Sequence, residues 1–252
     1  MIQAYVSGDC YLEFAKLAGA VPAPITKDNY KPGTPGYATQ TGNPIDYEPI
    51  RNRYKQCVLA VQYGQGVNGL AARTGLSIIE ARELMQRHRE TFRRFWQWST
   101  NILNTATFRL ELPTMFGWWL DTTEAYAQEH EGKARPGCTP RTIQNYLMQA
   151  SGSEMLRIAC IRADERGIRL CAPIHDALLV EGCIEEIDHV VAETEECMRQ
   201  ASRDVLCGFE LRTETKIVRW PDRYADKRGQ SMWAIVAGLV GIDTPPYGRA
   251  TP

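Results

Sequence analysis

The chain has 252 residues, enough for one large domain or two small ones with a buried core. Its 29 Lys and Arg against 30 Asp and Glu leave a net charge of −1, which argues against a general polyanion binder. The balance is uneven: residues 51–94 hold nine Lys/Arg and three Asp/Glu, so this stretch carries +6 and the rest −7. A basic stretch on a neutral protein fits a nucleic-acid or nucleotide partner, and equally fits a solvated helix face.

In chain order, residues 1–5 and 11–20 read as helical, with Gly8-Asp9 between them. Residues 22–46 are rich in Pro, Gly, Thr and Asn and read as a long loop. A helix over about 51–63 stops at Gly64-Gln65-Gly66, and a short helix over 68–73 is closed by Gly75. Ser77-Ile78-Ile79-Glu80 is a capping box. It opens a long helix whose apolar stripe runs Ala81, Leu84, Met85, Phe92, Phe95 and Trp96. Residues 112–119 hold a turn at Phe116-Gly117. Thr139 as N-cap and Pro140 at the first helical position start a helix that stops at Gly167. Residues 168–174 and 177–181 read as strands around His175-Asp176, 184–206 as a helix, and 209–218 as a strand. Helix, hairpin, helix, strand means an α+β fold with an antiparallel sheet.

The eight cysteines (Cys10, Cys57, Cys138, Cys160, Cys171, Cys183, Cys197, Cys207) lack the close paired spacing of a zinc site. They read as reduced, mostly packed thiols of a cytoplasmic protein. No leader is expected, and the longest late apolar run, residues 232–242, is too short to span a bilayer, so no membrane partner is expected.

Two constellations carry chemistry. Arg51, Lys55, Leu59 and Tyr63 fall along one face of a 3.6-residue helix, with Gly64 closing it. Two cations one turn apart make a cradle for a polyphosphate. Downstream, a turn made of an imidazole and a carboxylate, His175-Asp176, is an unusual choice for a tight hairpin, and Asp176 is a candidate ligand for Mg2+. An exposed polar turn is the plainer reading. Arg141, Asn145 and Gln149 form a further polar stripe. Their amides can meet the acceptors that every base pair shows in the minor groove. Polar residues on one helix face are also ordinary.

These motifs resemble the C-terminal part of a family-A DNA polymerase, the bacterial DNA polymerase I type. That family's fingers helix reads Arg-x3-Lys-x3-aromatic-x3-Tyr-Gly, matched by Arg51, Lys55, Tyr63 and Gly64. Its palm helix reads Arg-x3-Asn-x3-Gln, matched by Arg141, Asn145 and Gln149, and its second catalytic motif is His-Asp on a hairpin, matched by His175 and Asp176. The resemblance spans roughly residues 1–224. It implies fingers over 1–110, a palm over 111–225 and a tail over 226–252. It implies that Arg51 and Lys55 hold the triphosphate of a dNTP, with Lys55 at the reacting phosphates, and that Tyr63 tests the nascent pair. Arg141, Asn145 and Gln149 would read primer–template DNA. Asp176 would bind Mg2+, with His175 supporting the primer or the sheet, in a two-metal nucleotidyl transfer serving replication or repair.

The departures are specific. The family's first catalytic motif, a strand with Asp and Glu upstream of the fingers, has no counterpart here. Asp9 and Glu13 lie in the wrong segment to replace it. Leu59 stands where the family has Phe or Tyr, and Ala177 where it often has Glu. The expectation is therefore an incomplete polymerase portion: a truncated gene, a misplaced start, or one half of a split enzyme whose separate upstream polypeptide supplies the missing palm and thumb. The alternatives are a non-catalytic DNA-binding remnant and, less favoured, a His-Asp metal phosphohydrolase.

Overall fold

The structure is a computed structural model and describes residues 1–40, 44–123, 128–130, 133–135, 139–222, 224, 226 and 229–242. The chain divides into two units, Met1–Ala150 and Ser151–Pro252.

In the first unit, each helix starts or stops where a local signal sits. After the short α1 (Ile2–Val6), Asp9 caps α2 (Cys10–Leu17): its Oδ1 accepts from the backbone N–H groups of Tyr11 and Leu12, at 3.0 Å each. α3 (Glu48–Gln62) carries Pro49 in its first turn, where the missing N–H costs nothing. α4 (Val67–Thr74) ends at Gly75, whose φ of +70° suits glycine. Both halves of the Ser77–Glu80 capping box form at the start of α5 (Ile78–Thr91).

The core of this unit gathers Leu12, Phe14, Tyr54, Cys57, Val58, Val61, Leu70, Leu84 and Phe92. Tyr54, Cys57, Val58 and Val61 repeat at helical spacing, so α3 buries one face and leaves the opposite edge to solvent. Phe14 is fully buried, with its ring edge-on to Tyr54 at 4.8 Å; burial of such a side chain contributes about 2–3 kcal/mol.

The long helix expected from residue 77 through Trp96 is in fact two. Phe92 leaves helical geometry (φ −114°, ψ 50°), and α6 (Arg93–Arg109) starts beyond it. Packing imposes the break. Residues eight apart on a straight helix are separated by about 12 Å along its axis. Here the Trp96 indole donates to His88 Nδ1 at 3.1 Å, and the Phe92 ring lies on Phe14 and His88.

α6 leads into a hairpin of β1 (Glu111–Pro113) and β2 (Trp119–Asp121), turning at Gly117 as expected. Ile102, Ala106, Leu112 and Ile143 pack together beneath it. A pair of strands that the sequence reading did not anticipate, β3 (Gln128–His130) and β4 (Lys133–Arg135), precedes α7 (Pro140–Glu165). Thr139 Oγ1 accepts from Thr142 N at 3.2 Å, the N-cap expected there. α7 runs on into the second unit and stops before Gly167, at φ +71°.

The second unit pairs β5 (Arg169–Ile174) with β6 (Ala177–Glu181) and adds α8 (Ile187–Val205) and α9 (Gln230–Val240). Ala163, Ile168 and Cys197 form its small core, with Leu170, Val180 and Val190 against it. Ion pairs join the two long helices: Arg162 to Asp204 at 2.5 Å, and Arg166 to Glu193 at 2.9 Å.

Residues 209–218 form no strand, contrary to the alternating pattern. They run back along α8, held by its side chains: Leu211 N–H donates to Ser202 Oγ at 3.0 Å, Glu210 pairs with Arg203, Thr215 with Glu195, and Arg219 with Asp188. A strand needs a neighbour in a ladder; here the segment lies along α8 instead, tied to it by one backbone bond to Ser202 and by side-chain pairs.

The architecture is α+β, with small antiparallel sheets among many helices. The thiols are less uniformly packed than expected: Cys57 and Cys197 are buried, but Cys171, Cys183 and Cys207 are exposed. No helix among the described residues is long and apolar enough to cross a membrane.

Candidate nucleotide and nucleic-acid interface

α3 buries Tyr54 and Val58 and so turns Arg51, Lys55, Leu59 and Tyr63 outward along its other edge. Arg51 is half-buried, and its guanidinium is tightly placed. Nε donates to Asp9 Oδ2 at 2.6 Å, and the group lies 5.3 Å from the Tyr11 ring centre and 5.6 Å from that of Tyr30. Lys55 Nζ lies 5.8 Å from the same Tyr11 ring. The Tyr11 phenol is pushed above its ordinary pKa, chiefly by burial, and so stays a neutral neighbour for the two cations. Leu59 is half-buried and brings no ring to the edge; Tyr63 caps the helix and is exposed.

The end of α3 meets the start of α7 within the same unit. Arg141 Nε donates to the Tyr63 carbonyl at 2.7 Å. Gly64 sits directly beneath, at φ +63°, and a Cβ there would lie 2.9 Å from Arg141 Cγ and 3.2 Å from its Cα. Only glycine permits both that backbone turn and that approach. Asn145 and Gln149 continue one and two turns along α7, the first half-buried and the second exposed. The two polar stripes therefore join at Tyr63, Gly64 and Arg141.

In the second unit, β5 and β6 pair in register from Ile174 opposite Ala177, leaving His175-Asp176 as a two-residue loop. His175 takes φ +55°, a conformation that costs a non-glycine residue about 1–2 kcal/mol. Both loop side chains are exposed. Cys171 is an extra residue between Leu170 and Ala172, a bulge in β5. Among the described residues, no group of three His, Cys, Asp or Glu is gathered to hold a metal ion. The residues present therefore do not fit a complete Mg2+ pair, because Asp176 is a single carboxylate. His88, which a phosphohydrolase reading would enlist, is fully buried among Phe14, Phe92 and Phe95.

The sequence profile described as DNA polymerase family A matches residues 43–219. The chain belongs to DNA polymerase family A. The family match includes α3, the Arg141-Asn145-Gln149 stripe and the His175-Asp176 loop; α2 and Asp9 lie outside it. No curated protein matches the sequence. Among solved structures, the chain is similar to the polymerase domain of Pol1 from M. smegmatis, determined in complex with DNA primer-template and dNTP. The TM-score is 0.59 at 21% identity, over 77% of this chain and 31% of that one. At that identity the likeness shows the fold, and the chain spans about a third of that polymerase domain's length.

Sequence reasoning missed three neighbours of the cradle: Asp9, Tyr11 and Tyr30. Gly8-Asp9 was legible as a helix start, but nothing local marks a carboxylate that pairs 42 residues downstream.

Proposed function

We propose that this chain supplies the nucleotide- and DNA-binding surfaces of a DNA-directed DNA polymerase, as an incomplete portion that lacks the first catalytic carboxylate motif. One observation carries the reading. The cationic edge of α3 ends, at Tyr63 and Gly64, on the helix that presents Arg141, Asn145 and Gln149. A dNTP triphosphate fits Arg51 and Lys55, its base lies toward Tyr63, and a primer–template minor groove fits Asn145 and Gln149. In this reading residues 1–110 are fingers, 111–225 are palm and 226–252 are a tail. The protein works in the cytoplasm, in replication or repair.

Asp176 offers one ligand to Mg2+, and His175 shapes its loop. Two-metal chemistry requires carboxylates from a second element; a separate upstream polypeptide that also brings the thumb is one source of them. Without them, the chain is a DNA- and nucleotide-binding protein with no transfer activity; the single carboxylate favours this second reading for the isolated chain.

Purified protein tests both. Fluorescent primer–template and dNTP should bind. Lys55→Ala should weaken dNTP binding by about tenfold or more, the loss expected for one charge-assisted contact. Primer extension should be absent alone and appear when a palm–thumb polypeptide is added with Mg2+. Robust extension by the isolated chain would refute the incomplete site, and dNTP affinity indifferent to Lys55→Ala would refute the cradle.

A further inference from the structure

We infer that Asp9 is a positioning residue for the triphosphate cradle: it aims the Arg51 guanidinium. The inference rests on the phosphate-gripping role proposed for α3. It concerns a residue outside the family match.

The Asp9 side chain is only 5% exposed, and both its oxygens are in use. Oδ1 accepts from Tyr11 N–H and Leu12 N–H, and Oδ2 accepts from Arg51 Nε–H at 2.6 Å. A buried carboxylate bonded in this way is a rigid acceptor, since it is fixed to the first turn of α2, whose Leu12 and Phe14 lie in the core. A guanidinium is planar, so an anchor at Nε, with the Tyr11 and Tyr30 rings beside it, sets the plane in which the other two nitrogens lie. Those nitrogens, Nη1 and Nη2, have no hydrogen-bond partner among the described residues. Arg51 is thus held by one nitrogen and presents two, the fork that binds a phosphate in bidentate fashion.

Two physical effects of Asp9 oppose each other. Its charge offsets that of Arg51, so electrostatics alone makes the site less attractive to an anion. Its geometry prepays the ordering of a long side chain, which strengthens binding. The assignment holds that orientation wins, and removal of the carboxylate therefore has a definite sign.

The probe is inorganic tripolyphosphate, titrated calorimetrically into the full chain. Asp9→Asn keeps the N-cap acceptor but turns an amide N–H2 toward Arg51 Nε–H. Asp9→Ser keeps the cap and withdraws the second acceptor. Each should weaken tripolyphosphate binding by about tenfold, the loss of one oriented charge-assisted contact. Asp9→Asn should add nothing in an Arg51→Ala background. Equal or tighter binding by Asp9→Asn overturns the inference, and so does an undiminished loss in the Arg51→Ala background. Binding that Arg51→Ala weakens and Asp9→Asn spares removes the positioning role alone. Binding that neither Arg51→Ala nor Lys55→Ala affects removes the cradle and the inference with it. The Arg51 Nε–H resonance gives a check on the unmodified protein: it should be protected from solvent exchange, and free exchange would show that the anchor is not made.

Discussion

Acidification should destabilise the first unit through one side chain, His88. It is 0% exposed. Nδ1 accepts from the Trp96 indole at 3.1 Å, so the neutral ring carries its proton on Nε2, which has no partner among the described residues. Burial pushes its pKa down from the ordinary 6.5 to about 4. A second proton would sit on Nδ1, against the Trp96 N–H. The unfolded chain takes up that proton near pH 6.5 and the folded chain only near pH 4. The stability that neutral His88 contributes is therefore complete above pH 6.5 and lost as pH falls from there toward 4. At about 1.4 kcal/mol per tenfold change in proton affinity, the loss is about 3 kcal/mol, a large part of the 5–15 kcal/mol typical of a domain. Urea denaturation between pH 7 and 4.5, run on the native protein and on His88→Leu, isolates this contribution from the carboxylates. The native protein should lose stability faster than the variant across the window. Parallel curves would refute the argument.

Gly64→Ala forces φ +63° on an alanine and drives its Cβ into Arg141, so we expect a stability loss of about 2–4 kcal/mol in urea denaturation, with weakened primer–template binding; an unchanged midpoint would contradict the close approach. Cys57 is buried, and its thiol is pushed up to about 12, so iodoacetamide should label exposed Cys171 within minutes and reach Cys57 only as the protein unfolds. Rapid labelling of Cys57, followed by mass spectrometry, would show that the α3 core opens readily.

The legible parts of the fold are those with local causes. The Ser77–Glu80 box, the Thr139 cap with Pro140, the stops at Gly75 and Gly167, and the strands flanking His175-Asp176 all rest on residues within a few positions of one another. The misses have distant causes. The break at Phe92 follows from an indole reaching a histidine one helix back, and the missing strand at 209–218 follows from bonds to α8. At the site, the outward edge of α3 was readable from its period. Its two decisive contacts, Asp9 with Arg51 and Arg141 with Tyr63, join residues 42 and 78 positions apart and leave no trace in spacing.

The same contacts bear on the second carboxylate that the proposed two-metal chemistry needs. Asp9 cannot be lent to a metal: both oxygens are bonded, and withdrawing them would strip the cap from α2 and leave the half-buried Arg51 guanidinium unpaired. Glu13 is paired with Lys16 at 3.5 Å on the α2 surface. The hairpin, by contrast, is open. β5 and β6 have no third strand among the described residues, and Cys171, Ile174 and Leu179 are exposed on them. Two strands alone are marginal in water, and an edge with free N–H and C=O groups is a template for another strand. A strand carrying Asp and Glu that paired with this hairpin would extend the sheet and supply the missing negative charge in one step. Addition of such a polypeptide should therefore protect the β5 and β6 amides from hydrogen exchange before any primer is extended. Unchanged protection would place the second carboxylate elsewhere.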